Sequence, residues 1–128
     1  MESKIILKAE NLSIGYQQQR KVNCIAKGID LSLSKGKLIA IVGANGIGKS
    51  TLLRTITGIQ KPLDGTVSIN QQQLQAYDSL TLAKEMSLVL TEKLPPSNLT
   101  VYELIALGRQ PYTNWIGTLS TDDIEKIE

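Results

Sequence analysis

The sequence predicts an α/β fold built around a strand, a loop and a helix, and three observations predict it. Ile29, Leu31 and Leu33 alternate with Asp30 and Ser32, the period of a half-buried strand. Leu38-Ile39-Ala40-Ile41-Val42 runs apolar without alternation, as a strand does when both faces are covered in a parallel sheet. From Ser50 onward, Leu52, Leu53 and Ile56 fall at helical spacing on one face.

Composition bounds the rest. A length of 128 residues suits one domain and not two. With 41% apolar residues, and 14 Lys plus Arg against 12 Asp plus Glu, the chain can bury a core and is not disordered. A net charge of +2 is too small and too scattered to favour nucleic acid or an anionic membrane surface. The chain has no His and a single Cys, Cys24. A His-centred triad, a His general base, a Cys/His zinc site and an internal disulfide are therefore excluded within it. The longest clean apolar run, Leu38 to Val42 extended by Gly43 and Ala44, is far short of the roughly 20 residues of a spanning helix. The apolar start, Ile5-Ile6-Leu7, is too short for a signal peptide. The expectation is a cytoplasmic chain with no direct membrane insertion.

Along the chain, Ile5 to Leu7 opens a strand region in which Leu12 and Ile14 alternate with Ser13 and Gly15, giving one or two strands up to Tyr16. Gln17 to Lys21 is a polar turn, and Ser34-Lys35-Gly36-Lys37 is another. Gly58 suits the end of the helix that starts near Ser50. Lys61-Pro62-Leu63-Asp64-Gly65 reads as a tight turn and Thr66 to Ile69 as a short strand. Gln71-Gln72-Gln73 reads as surface loop, Met86 to Leu90 as a second buried strand, and Pro95-Pro96 as a subdomain boundary. Thr100 and Glu103 have capping-box spacing ahead of Leu104, Ile105 and Leu107, with Gly108 closing that helix. Ser120 and Asp123 repeat the start signal, and Ile124 and Ile127 begin an apolar stripe that stops at Glu128. A helix of about two turns is marginal alone, so the chain is expected to be a truncated piece of a longer protein, a naturally short terminal helix being the plain alternative.

One motif carries chemistry. Gly43-Ala44-Asn45-Gly46-Ile47-Gly48-Lys49-Ser50-Thr51 fits the pattern G-x-x-x-x-G-K-S/T. A triphosphate needs many donors at short range, and side chains would crowd it. Gly43, Gly46 and Gly48 let backbone N–H groups turn inward as an anion nest. A helix starting near Lys49 adds its free amides and the positive end of its dipole. Lys49 brings a point charge to the β and γ phosphates, and the Ser50 hydroxyl suits Mg²⁺ as a hard oxygen ligand. Thr51 lies one amide further on, near the α phosphate. A glycine-rich strand-to-helix turn with a surface lysine is the plain alternative.

With Asn45 and Thr51 included, this loop resembles the Walker A motif of the ABC transporter ATPases. Tyr16, after Leu12-Ser13-Ile14-Gly15, resembles the A-loop aromatic that stacks on adenine in that family. Gly65 to Ile69 resembles its short strand after the Walker A helix. Tyr102 to Tyr112, with Trp115 and Leu119-Ser120, is similar to the ATP-binding subunits of importers for iron–siderophores, haem and cobalamin. The resemblance covers nearly the whole chain. It implies the N-terminal half of a P-loop NTPase core of the ABC ATPase type, with an antiparallel β subdomain. Residues 1–92 would belong to the nucleotide-binding core and 93–128 to the start of a helical subdomain.

The resemblance further implies ATP and Mg²⁺ as cofactors, permease membrane subunits and a second ATPase subunit as partners (a homodimer), and a place on the inner face of the membrane through the permease. Two departures stand out. The family's signature motif, Walker B carboxylates with the catalytic Glu, and switch His have no counterpart in these 128 residues. Thr91, followed by Glu92, occupies the place of the Q-loop Gln and offers at most a shorter hydroxyl to metal or water. The chain alone is therefore expected not to turn over ATP, and an unpaired apolar Leu38–Val42 edge would invite self-association. Tyr112 and Trp115 suit either core packing or docking to a membrane subunit. A non-catalytic nucleotide-binding or interaction fragment is the other reading. A soluble P-loop kinase or GTPase is a third, weakened by Tyr16, by the strands before the loop and by the stretch from Tyr102 to Tyr112.

Overall fold

The structure, a computed structural model, describes residues 4–89, 91 and 98–128. It divides into two units, residues 1–77 and 78–128. The expected boundary between residues 92 and 93, and the Pro95-Pro96 break, lie outside the described residues.

The first unit is a four-stranded antiparallel sheet carrying one helix. β1 (Ile5–Gln18) and β2 (Lys21–Ser34) form a long hairpin, and β3 (Asp64–Ile69) pairs with the other edge of β1. β4 (Gln72–Gln73) completes the order β2-β1-β3-β4. The central strand β1 carries the core. Leu7 and Ala9 are buried between Leu33 and Leu31 on one side and Ile69 and Val67 on the other, while Lys8 and Glu10 face solvent. This is the two-residue period of a sheet with one wet face. Leu12, Ile14 and Val67 are almost completely buried, and each such side chain contributes about 1.5–3 kcal/mol. Further along, Leu12, Ser13, Ile14 and Gly15 are all buried, so alternation gives way to cover on both faces.

Helix α1 (Lys49–Ile56) packs on β1. Its buried residues are Thr51, Thr55 and Ile56, whereas Leu53 is exposed. The expected Leu52–Leu53–Ile56 face is therefore displaced by about one residue. Thr55 can be buried because its hydroxyl donates to the Thr51 carbonyl at 2.7 Å, inside the helix. Gly58, at φ 79, ends the helix as expected. The expected surface loop at Gln71–Gln73 is instead a hairpin. Asn70 and Gln71 both take positive φ, 48° and 69°, and return the chain as β4.

Two expected strands do not form. Residues 37–44 carry no strand, and Leu38 and Val42 are fully exposed. Residues 86–89 likewise carry none, Val89 is exposed, and Leu90 lies outside the described residues. The composition of both segments is right for buried strands. A parallel strand, however, needs a neighbour along its edge, and among the described residues every ladder is antiparallel and closed among β1–β4.

The second unit contains α2 (Ser79–Glu85), α3 (Val101–Leu107) and α4 (Thr121–Ile127). Asp78 starts α2, accepting from the Leu80 and Thr81 amides at 3.0 and 2.9 Å. Both expected capping boxes are present, Thr100 with Glu103 and Ser120 with Asp123. α4 is tied down by charge. Arg109 Nε and its terminal nitrogen both reach Asp123 Oδ1 at 2.7 Å, and the guanidinium lies 4.1 Å from the Tyr112 ring centre. Asp123 is nearly fully buried. The Ser120 hydroxyl and amide, followed by Arg109, hold its carboxyl down to about 2. Trp115 is exposed rather than core, and Tyr112 is half exposed between Arg109 and Lys84.

Candidate functional site

The candidate site is the loop from Gly43 to Gly48, the first turn of α1, and the end of β1. Gly48 seats the loop. It is the N-cap of α1 at φ 112, ψ 10, and a Cβ there would fall 2.6 Å from Ile25 Cγ2 and 3.7 Å from Ile14 Cδ1. Only a residue without a Cβ lets the helix start lie directly on β1 and β2. No side chain caps α1, and its first turn holds no acidic residue. Its leading amides and dipole thus present an undiluted positive end.

Lys49 closes the loop. Its Nζ donates to the Gly43 and Ala44 carbonyls at 2.7 and 2.8 Å. The ammonium therefore folds back onto the loop, with Lys49 partly exposed. Asn45 and Gly46 form the tip, where the Ile47 amide donates to the Ala44 carbonyl at 3.3 Å. Ser50 is exposed on the same helical turn.

Thr51 is buried, and its Oγ1 lies 3.1 Å from the Tyr16 hydroxyl. Tyr16 is 40% exposed, so part of this aromatic residue is accessible beside the loop. Tyr16, Gly43, Asn45, Gly46, Gly48, Lys49, Ser50 and Thr51 are thus brought into one unit, though Tyr16 lies 27 positions before Gly43 in the sequence. Thr91 is exposed and belongs to the other unit. One participant carried no sequence signal. Gln60, in the turn after α1, donates through Nε2 to the Gly15 carbonyl, directly behind Tyr16.

These groups fit an anionic, polyoxygenated ligand. The loop has room at Gly46, where a Cβ would meet nothing within 4 Å, and the Lys49 ammonium and the exposed Ser50 hydroxyl lie beside it. Among the described residues, no helix is long and apolar enough to cross a membrane.

A family model described as "ABC transporter" matches residues 26–127. The chain belongs to this ABC transporter family. It is 42% identical, over 92% of its length, to an uncharacterised ABC transporter ATP-binding protein of Methanocaldococcus jannaschii, and spans 39% of that protein. To a probable siderophore transport system ATP-binding protein of Bacillus subtilis it is 34% identical, over 95% of the chain and 43% of the relative. The chain thus spans about two fifths of the length of these curated relatives. Its fold matches the N-terminal part of an ABC ATP-binding cassette. A dimeric cassette solved in a post-hydrolysis state with ADP and phosphate superposes with a TM-score of 0.72 at 25% identity, over 94% of this chain and 53% of the cassette. Family membership sets aside the kinase and GTPase alternative.

Proposed function

We propose that this chain is the nucleotide-binding part of the ATPase subunit of an ABC importer, serving uptake of an iron–siderophore, haem or cobalamin-type compound. The observation that carries the proposal is the closed loop: Lys49 held among the loop carbonyls, with Tyr16 tied to Thr51 beside it. The siderophore-transport relative and the stretch from Tyr102 to Tyr112 support the substrate class.

In this reading the amides around Gly43, Asn45, Gly46 and Gly48 hold the phosphate oxygens, and Lys49 exchanges its carbonyl partners for the β and γ phosphates. Tyr16 offers its exposed face to adenine. Thr51 lies nearest the α phosphate. Ser50 supplies a hydroxyl to Mg²⁺, which neutralises phosphate charge when bound. Thr91 stands in for the Q-loop Gln. Residues 1–92 serve as core and 93–128 as the start of the helical subdomain. The whole protein would pair with a second copy and with permease subunits at the inner face of the cell membrane, binding no nucleic acid.

Calorimetric titration with ADP tests the reading. Lys49→Ala should weaken binding about tenfold to a hundredfold, the worth of charge-assisted bonds to phosphate. Unchanged affinity in that variant would overturn it.

A further inference from the structure

Tyr16 is gripped from two directions, once by the first turn of α1 and once by the turn that follows the helix. Its hydroxyl meets Thr51 Oγ1 at 3.1 Å, in the first turn of α1. The peptide just before it is held by the turn that follows α1, where Gln60 Nε2 donates to the Gly15 carbonyl. The Leu63 amide adds a bond to the Ser13 carbonyl at 2.9 Å.

The local backbone explains why Gly15 needs this support. The β1–β2 register shifts between Ile14 and Gly15, so the ladder is irregular at that residue. A Cβ at Gly15 would fall 2.1 Å from the Asn23 carbonyl oxygen and 2.8 Å from Leu63 Cδ1. The strand is therefore squeezed between β2 and the turn, at a place where regular pairing is interrupted. Gln60 supplies a donor there.

We infer that Gln60 is a positioning residue: through the Gly15 carbonyl it sets the Tyr16 ring at a fixed distance from the phosphate-binding loop. Because α1 carries the loop at one end and the Gln60 turn at the other, the aromatic platform and the loop move as one body. The inference rests on the nucleotide-binding reading above. It adds a specific consequence, which is that Gln60 acts on the base and not on the phosphates.

The test compares ADP with inorganic tripolyphosphate, which has no base. In Gln60→Leu, ADP binding should weaken about two- to tenfold, the range of one hydrogen bond, while tripolyphosphate binding stays within about twofold. In a Tyr16→Ala background, Gln60→Leu should add no further loss for ADP, since the ring it positions is gone. Equal losses for both ligands, or a full additional loss in the Tyr16→Ala background, would reduce Gln60 to general structural support and overturn the inference. A wild-type chain that binds neither ligand would instead sink the nucleotide reading. In that event, hydrogen exchange at the Gly15 and Tyr16 amides decides the clamp: faster exchange in Gln60→Leu supports it, and unchanged exchange removes it.

Discussion

Replacing Gly48 by Ala should unfold the start of α1, and the cost can be worked from two features. At φ 112 an L-residue adopts a left-handed backbone costing roughly 1–2 kcal/mol. The new methyl would lie 2.6 Å from Ile25 Cγ2, well inside contact distance, and overpacking of this kind costs about 1–3 kcal/mol. The sum, about 2–5 kcal/mol, is a large fraction of the stability of a small domain. Gly46→Ala is the internal control. Its φ of 84 carries the same backbone cost, but no atom lies within 4 Å of its Cβ. The two variants therefore differ only by the packing contribution. In urea, at about 1 kcal/mol per molar for a chain this small, the Gly48→Ala midpoint should lie about 1–3 M below that of Gly46→Ala. The sheet signal in circular dichroism reads this directly. Adding Ile25→Ala, which removes Cγ2, should restore part of the loss. Equal midpoints for the two glycine variants, or no rescue, would refute the claim that Gly48 seats the loop on β2.

Asp123 has its pKa held at about 2, below the ordinary carboxylate value near 3.9, so its contribution to α4 is fully present above about pH 4 and is lost as pH falls through 2. Protection factors over 121–127, corrected for the intrinsic exchange rate, should fall between pH 4 and pH 2 in the wild type, and should be lower at pH 4 in Arg109→Ala, where the Ser120 bonds to Asp123 remain. A steady-state phosphate-release assay on the chain should show no turnover above background. Turnover that Lys49→Ala abolishes would contradict this. Light scattering should show mass rising with concentration, because Leu38 and Val42 are exposed on an unpaired apolar stretch. Leu38→Lys with Val42→Lys should suppress the rise, and an unchanged profile would assign it elsewhere.

Local signals were legible in the sequence wherever the cause was local. Both capping boxes, the Gly58 stop and the alternation at Ile29–Leu33 are written in neighbouring residues, and the structure has them. The phosphate-loop pattern likewise lies in nine consecutive positions, from Gly43 to Thr51. What depended on partners was misread. Leu38–Val42 has the composition of a buried strand, but strand formation is a property of pairs, and its pairing partner is not among β1–β4. The buried face of α1 was misplaced because Thr51 and Thr55 look polar in sequence, while in space one hydroxyl meets Tyr16 and the other a helix carbonyl. α2 was not expected, because seven residues are too few to show an apolar stripe. Gln60 is invisible to any pattern because its partner, Gly15, is 45 positions away.

The ammonium of Lys49 is held by two carbonyl oxygens. An incoming anion must outcompete both of them at once. Chloride or acetate, with one charge to offer, gains little from such a trade. A chain of linked phosphates brings several oxygens in a single arrival and wins, so selectivity by valence follows from the two contacts of one side chain.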